Sequence, residues 1–232
     1  MSDEALAFLR ELEAADETLS AAEGELAELG AEVERVRLRA ADLEKFLSQL
    51  PVEREQLQTE QAGAEQQAAR ALRAKDEASE SLADAERGRS ADAVTEARRA
   101  VIRTQDALRT ADRHVSGHDA ESAALAGADA DAIREAAELD AQARQLVAEF
   151  RQHPRLTEQA ASDSLPGLPG IVEWGSAARA ALFVARGGLS SEREAVIRQA
   201  NELGSKLLGE PLLAATPATV LRRVEELTAA RA

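Results

Sequence analysis

Apolar residues recur at alternating spacings of three and four throughout the first fifty residues of the chain. A 3.5-residue period that persists for seven heptads is the pattern of a helix packing along one coiled-coil seam. Most of the intervening positions carry Glu, Asp, Arg or Ser, as a solvated helix face requires. The fourteen seam positions are Ala5, Phe8, Leu12, Ala15, Leu19, Ala22, Leu26, Leu29, Val33, Val36, Ala40, Leu43, Leu47 and Leu50.

Pro51 follows the last of these positions directly. A proline inside a helix removes one hydrogen bond and crowds the preceding turn, whereas the first turn of a new helix accommodates it. We therefore expect a first helix over about residues 2–50 and a second over about residues 52–115.

The second helix carries a weaker seam that is mostly alanine. Gln61 and Lys75 interrupt it, and its phase changes between residues 85 and 94. We interpret the change, near Gly88, as a stutter or a local loosening of the helix.

Short connections favour antiparallel neighbours, so the two helices are expected to form an antiparallel hairpin that reverses at Pro51. Leu43 would then lie at the level of Leu57, and Leu19 at the level of Leu82. The acidic residues 1–17 would lie near the arginines of residues 84–99. A parallel dimer through the first helix is the alternative. Whether the two helices of the hairpin belong to one chain or are exchanged between two chains stays open.

A third helix is expected over residues 119–153, after a turn at His114–His118. Its seam runs from Ala132 to Phe150 and is wide enough to contact two helices. The fold class is thus all-α: an elongated coiled-coil bundle over residues 1–155.

Two Pro-Gly pairs and a small polar run make residues 156–170 a predicted linker. A small module of three short helices follows over residues 171–232. Gly187-Gly188 is predicted to end the first of these helices and Gly209 to cap the second. Thr216-Pro217 is predicted to open the third.

Composition excludes several classes of function. Alanine supplies 52 residues, aromatic residues only 2%, and the formal net charge is −15. Such an acidic chain is unsuited to general nucleic-acid binding, and the absence of cysteine excludes disulfides and Cys-based metal sites or nucleophiles. No apolar run is long enough to span a membrane, and the acidic start is unlike a targeting peptide. We expect a cytoplasmic protein, and the Ala/Arg-rich composition suggests a bacterial source.

The best approximation to a set of metal ligands lies around the predicted turn: Asp112, His114, His118 and Asp119. The intervening Gly117 and the lack of an HExxH glutamate favour a solvated polar turn instead. No phosphate loop, nucleophile elbow or carboxylate dyad with a pocket motif is present. We therefore predict no enzymatic activity, no cofactor, no metal and no small-molecule substrate.

Five residues are candidates for docking a partner. Trp174 and Phe183 are rare aromatic residues, and Trp is favoured at interface hot spots, although such residues more often belong to a core than to a contact surface. Arg98, Arg99 and Arg103 belong to an arginine-rich stretch that could bind an acidic protein or an anionic lipid. The alternative is that these arginines neutralise the acidic start of the first helix.

The leading hypothesis is a non-enzymatic scaffold or adaptor that binds a protein partner or a second copy of itself. A long hairpin followed by shorter helices also resembles the layout of phage-shock-protein A and ESCRT-III, which implies a polymer-forming or membrane-remodelling protein. The acidic Ser2–Leu12 segment differs from the amphipathic membrane-inserting helix of that layout, so membrane binding is the less favoured alternative. A third hypothesis is a regulatory subunit whose acidic helices bind a basic partner surface.

Overall fold

In a computed structural model the chain is all-α, as the sequence predicts, and no β-strand occurs in the part that the structure describes, residues 3–156, 165 and 167–231. The helices there are α1 (Asp3–Gly88), α2 (Ala91–Gln152), α3 (Gly167–Leu208) and α4 (Pro217–Arg231). The chain divides into two compact units. The helix-pair unit is Leu43–Ala137, and the four-helix unit combines Met1–Asp42 with Glu138–Ala232.

The predicted reversal at Pro51 is wrong, because Pro51 lies inside α1. The reversal occurs at Arg89 and Ser90 instead. Arg89 adopts a left-handed conformation with φ of 55°, and the Ala93 N–H donates to Ser90 Oγ at 3.5 Å. A left-handed residue ends a helix and a serine side chain caps the next one, so the phase change read as a stutter is the turn itself.

Two further predicted breaks are also helical. His114–His118 lies within α2, so the second and third predicted helices are parts of one helix that starts at Ala91. Gly187-Gly188 lies within α3, so the predicted three-helix module contains two helices, α3 and α4. Glycine weakens a helix without ending it, and tertiary packing decides the outcome. The predicted linker overlaps α3 at 167–170, and most of its remainder, 157–164 and 166, lies outside the described residues.

In the helix-pair unit, α1 and α2 run antiparallel. Arg54 pairs with Asp129, and Gln61 Nε2 donates to Asp119 Oδ1 at 2.9 Å, so residue numbers rise along one arm as they fall along the other. The α1 arm spans about 70 Å at ~1.5 Å per residue. Its α1 seam is buried or half-buried even at the two residues that interrupt the apolar pattern, Gln61 and Lys75: the positions are Leu57, Gln61, Ala64, Ala68, Ala71, Lys75, Ala78, Leu82 and Ala85.

In the four-helix unit, the start of α1 packs against the end of the chain. One buried cluster joins Leu9 and Leu12 of α1 to Ala200 of α3 and to Val220 and Val224 of α4. Asp16 pairs with Arg193 at 2.7 Å and Arg10 with Glu225 at 2.8 Å. Of the acidic residues 1–17, which were expected to lie near the arginines of residues 84–99, Asp16 instead pairs with an arginine of α3.

The predicted α1 seam differs from the structure at Phe8, which is 44% exposed. Leu9, one residue on, is fully buried because it is the residue that packs into the cluster with α3 and α4. The other large apolar residues of the predicted seam are buried or half-buried: Leu12, Leu19, Leu26, Leu29, Val33, Val36, Leu43, Leu47 and Leu50.

Further along the four-helix unit, α3 lies very close to α1. A Cβ at Gly175 would meet Arg37 Cβ at 2.8 Å, so only glycine permits this approach. Arg37 and Arg179 both contact Glu34, at 2.8 and 3.3 Å. The hydrogen bond from Arg37, followed by the charge of Arg179, holds the pKa of Glu34 below its ordinary value despite partial desolvation. Among the helices described, none contains a stretch long and apolar enough to cross a bilayer.

Candidate interaction surface

The loop between α3 and α4 is held in one conformation by two polar side chains of α3. Asn201 Nδ2 donates to the Ala215 carbonyl at 2.8 Å, and the Ala215 N–H donates to Asn201 Oδ1 at 3.1 Å. Ser205 Oγ accepts the Leu212 N–H at 2.9 Å. Asn201 is a buried polar residue, 7% exposed, and its hydrogen bonds offset the cost of that burial.

Backbone geometry at both sides of the loop completes this arrangement. Gly209, with φ of 75°, ends α3 as the sequence predicts. Thr216 caps α4, its Oγ1 accepting the Thr219 N–H at 3.4 Å, and Pro217 is the first helical residue, also as predicted. Gly204 lets α4 approach α3, because a Cβ there would overlap Val220 and lie 2.7 Å from Leu212 Cδ1.

Between these anchors the loop presents an apolar side chain to solvent. Leu213 is 90% exposed, whereas its neighbour Leu212 is 9% exposed and belongs to the core. Ala214 has φ of 56°, a left-handed conformation that costs a non-glycine residue of the order of 1 kcal/mol. The anchored loop over-determines this conformation, and the result is a fixed apolar projection.

Leu213 borders a groove of about 750 Å³ between the loop and α3. Ile197, Leu212 and Ala214 contribute its other apolar walls, and Asn201 and Ser205 lie on its floor. A groove of this size that combines apolar walls with polar groups at defined positions is typical of a binding site. We call it the α3–α4 groove.

Four charged residues of α3 line the same groove at regular intervals of one helical turn: Glu194, Arg198, Glu202 and Lys206. Their signs alternate along the helix. Within the described part of the chain none of the four lies within 4 Å of an opposite charge. By contrast, Arg193, on another side of α3, contacts both Asp16 and Glu23. The groove edge therefore offers four charges to a binding partner.

The two aromatic residues predicted to dock a partner differ in burial. Trp174 is 3% exposed and packs edge-to-face on Phe150, with ring centroids 6.1 Å apart at 74°. This burial disfavours a docking role and favours the core interpretation, although the indole N–H is buried without a hydrogen-bond partner among the described residues. Phe183 is 80% exposed beside Val184, 72% exposed, on the surface of α3.

The predicted arginine site and the candidate metal ligands lie on the helix-pair unit. Arg98 contacts Glu86 at 3.3 Å, while Arg99 and Arg103 both contact Glu96. All three arginines are exposed on a surface that also carries acidic residues.

His118 contacts Glu121 at 3.1 Å and Asp119 accepts a hydrogen bond from Gln61. Over the described ranges no three potential ligands converge on a common point. Asp112, His114, His118 and Asp119 lie along one continuous helix, in place of the predicted turn.

The α3–α4 groove was not predicted from the sequence. Its signals were the alternating charges at four-residue spacing and the adjacent Leu212-Leu213 pair in a loop. Comparison of the chain with models of protein families, with curated proteins and with solved structures found no match.

Proposed function

We propose that this protein is a non-enzymatic coiled-coil scaffold that binds a protein surface through its four-helix unit. The observation that carries the proposal is Leu213, an almost fully exposed leucine on a loop that Asn201 and Ser205 hold rigid. Leu213 and the apolar walls of the adjoining groove form a patch bordered by charged residues, which is the kind of surface that marks a protein contact, and a loop whose backbone is already anchored loses less entropy on binding.

The helix-pair unit supports the same proposal by its chemistry. Its seam is mostly alanine, which lets two helices pack closely but buries little apolar area per residue. Its surface carries charges of both signs, with pairs such as Arg98–Glu86, and isolated exposed apolar side chains such as Ile102. We propose that this unit acts as a spacer in a cytoplasmic assembly and that the four-helix unit makes the principal contact.

Site-specific photo-cross-linking in the cells that produce the protein tests the proposal. A photoreactive amino acid would be placed at Leu213, at Phe183, and, as a control, at the exposed Gln67 of the helix-pair unit. We expect a defined protein adduct from position 213 that position 67 does not give. Equal labelling from 213, 183 and 67 would contradict the scaffold proposal.

Membrane remodelling, the alternative suggested by layout, makes a different prediction. It requires sedimentation with anionic liposomes or the growth of filaments, and the same purified chain can be tested for both. The third alternative, a regulatory subunit, requires a basic protein as the adduct from the acidic helices. Among the residues that the structure describes, neither alternative has a specific supporting contact of its own.

A further inference from the structure

We propose that the α3–α4 groove binds the same groove of a second copy of this chain, in an antiparallel two-fold arrangement. The inference rests on the proposed scaffold function and names its partner. Three features carry it: the order of the charges on α3, the height of Leu213 along that helix, and the volume of the groove.

The charges on α3 are self-complementary when the helix is reversed. Glu194 and Lys206 are equidistant from residue 200, and so are Arg198 and Glu202. In an antiparallel pair centred there, each charge faces the opposite charge of the other copy, which gives four ion pairs by symmetry. Self-complementarity of this kind is what a two-fold interface requires.

The same charges exclude neighbouring arrangements. A shift of one helical turn in either direction places Arg198 opposite its own copy, or Glu202 opposite its own copy. A parallel pair in register places all four residues opposite identical charges. Like charges held face to face are repelled, so the charges favour the antiparallel pair centred at residue 200 over a shift of one turn and over the parallel pair in register.

Leu213 lies at the position along the α3 axis that this register requires. The loop is hydrogen-bonded to α3 at Ser205 and Asn201, so Leu213 is held between the levels of these residues. Rotation about the level of residue 200 carries that interval onto residues 195–199 of the other copy. Ile197, an apolar wall of the groove, occupies the middle of that interval.

The groove has room for this insertion. Its volume of about 750 Å³ exceeds that of a leucine side chain, so each copy can insert Leu213 into the groove of the other and so cover its exposed leucine. The charged residues span only about 18 Å of helix at ~1.5 Å per residue. An interface this small gives a weak dimer that depends on concentration.

The first experiment is sedimentation equilibrium of the full chain over a roughly hundredfold range of concentration. We expect the mass to rise from 24.7 kDa toward twice that value. Leu213→Glu should abolish the rise, and Glu194→Lys should weaken association at least about tenfold, because it reverses two symmetric ion pairs. The control is Ile102→Glu, which changes an isoleucine of the helix-pair unit that is 59% exposed.

A fourfold charge reversal tests the register. Glu194→Lys, Arg198→Glu, Glu202→Lys and Lys206→Glu together preserve the alternation along the helix and the antiparallel complementarity. This variant should associate with itself as the natural chain does, yet it should not capture the natural chain when it carries an affinity tag. Circular dichroism and urea midpoints establish that each variant is folded.

Each outcome decides the proposal. If Leu213→Glu and Glu194→Lys leave dimer formation unchanged, this interface is wrong and the chain associates through another surface. The same conclusion follows if the charge-reversed variant captures the natural chain. A mass of 24.7 kDa throughout also overturns this interface. In that case a cross-link from position 213 to a different protein would still support the scaffold function, whereas failure of both experiments removes both proposals.

Discussion

Asn201 and Ala215 hydrogen-bond to each other in both directions, with Nδ2 donating at 2.8 Å and Oδ1 accepting at 3.1 Å. One buried amide side chain thus satisfies both backbone polar groups of a residue fourteen positions away. Together with the Ser205–Leu212 hydrogen bond, this pair anchors the backbone on both sides of Leu213.

Asn201→Ala should therefore destabilise the protein by about 2–3 kcal/mol, because the Ala215 N–H and carbonyl would lose their partners in a buried site. Urea unfolding followed by circular dichroism measures the change. Gln199→Ala, an exposed substitution on the same helix, is the control and should change stability by less than ~0.5 kcal/mol. Equal effects of the two substitutions would show that the hydrogen bonds between Asn201 and Ala215 do not stabilise the fold.

Gly204 and Gly187, both within α3, should respond to alanine in opposite ways. Gly204→Ala should destabilise by about 1–3 kcal/mol, because its Cβ overlaps Val220 in the core. Gly187 has open space around it, so Gly187→Ala should stabilise the helix by roughly 0.5–1 kcal/mol. Melting temperatures of the two variants test this, and a rise for both would show that α4 does not lie against Gly204.

Phe8 and Leu9 are adjacent but differ in burial. Leu9→Ala should cost about 2–5 kcal/mol because Leu9 is fully enclosed by α3 and α4. Phe8→Ala should cost less than ~1 kcal/mol, since the ring is 44% exposed. The order of the two urea midpoints is decisive: the reverse order would restore the seam predicted from the sequence.

Pro51→Ala should raise stability by about 1–3 kcal/mol, because alanine returns the missing N–H donor and relieves the crowding within α1. Val52→Ala, at a position 65% exposed, is the matched control. Thermal unfolding followed by the circular dichroism signal of the helices measures the difference in stability between the two variants. A loss of stability in Pro51→Ala would instead indicate that proline is required for a break in α1.

Low pH should weaken the four-helix unit through Glu34 and Glu192. Hydrogen bonds from Arg37 and Arg155, respectively, lower the pKa of these carboxyl groups from 4.5. Their contribution is therefore complete above the unfolded pKa and is lost as pH falls through the lower folded value. Urea midpoints at neutral pH and near pH ~3 should differ less in Glu34→Gln/Glu192→Gln than in the natural chain.

The exposed Glu80→Gln provides the comparison for this effect. It should retain the full pH dependence of the natural chain. An identical pH dependence in the double variant would show that the two arginine contacts are not maintained in solution.

The seam positions could be read from the sequence because heptad spacing is a direct consequence of helix geometry. The turns could not, because two signals competed. Pro51 is the stronger local breaker, but the apolar seam on both sides of it supports one continuous helix. The signal at Gly88, Arg89 and Ser90 is weaker, yet it coincides with the phase change, and Asp92 follows in the first turn of α2. A phase change beside a possible helix cap therefore outweighed an isolated proline.

The α3–α4 groove shows a different limit. Gly209, Thr216 and Pro217 were readable as helix ends because each acts within its own turn. The roles of Asn201 and Gly204 depend on residues more than ten positions away, so the pattern around them does not reveal either role. Leu213 likewise appears as one of two equivalent leucines until the loop is folded.

The contact between Arg10 and Glu225 has a consequence for how the chain is synthesised. These residues are separated by 215 positions, so the start of α1 can bury Leu9 only after α4 has been translated. Residues 43–137, by contrast, contain both arms of their own pair and can close on the ribosome. Until α4 has been translated, the apolar stripe at the start of α1 stays uncovered in the nascent chain. A chain truncated before α4 would therefore keep this stripe exposed, and the full chain is expected to need a chaperone until α4 is complete.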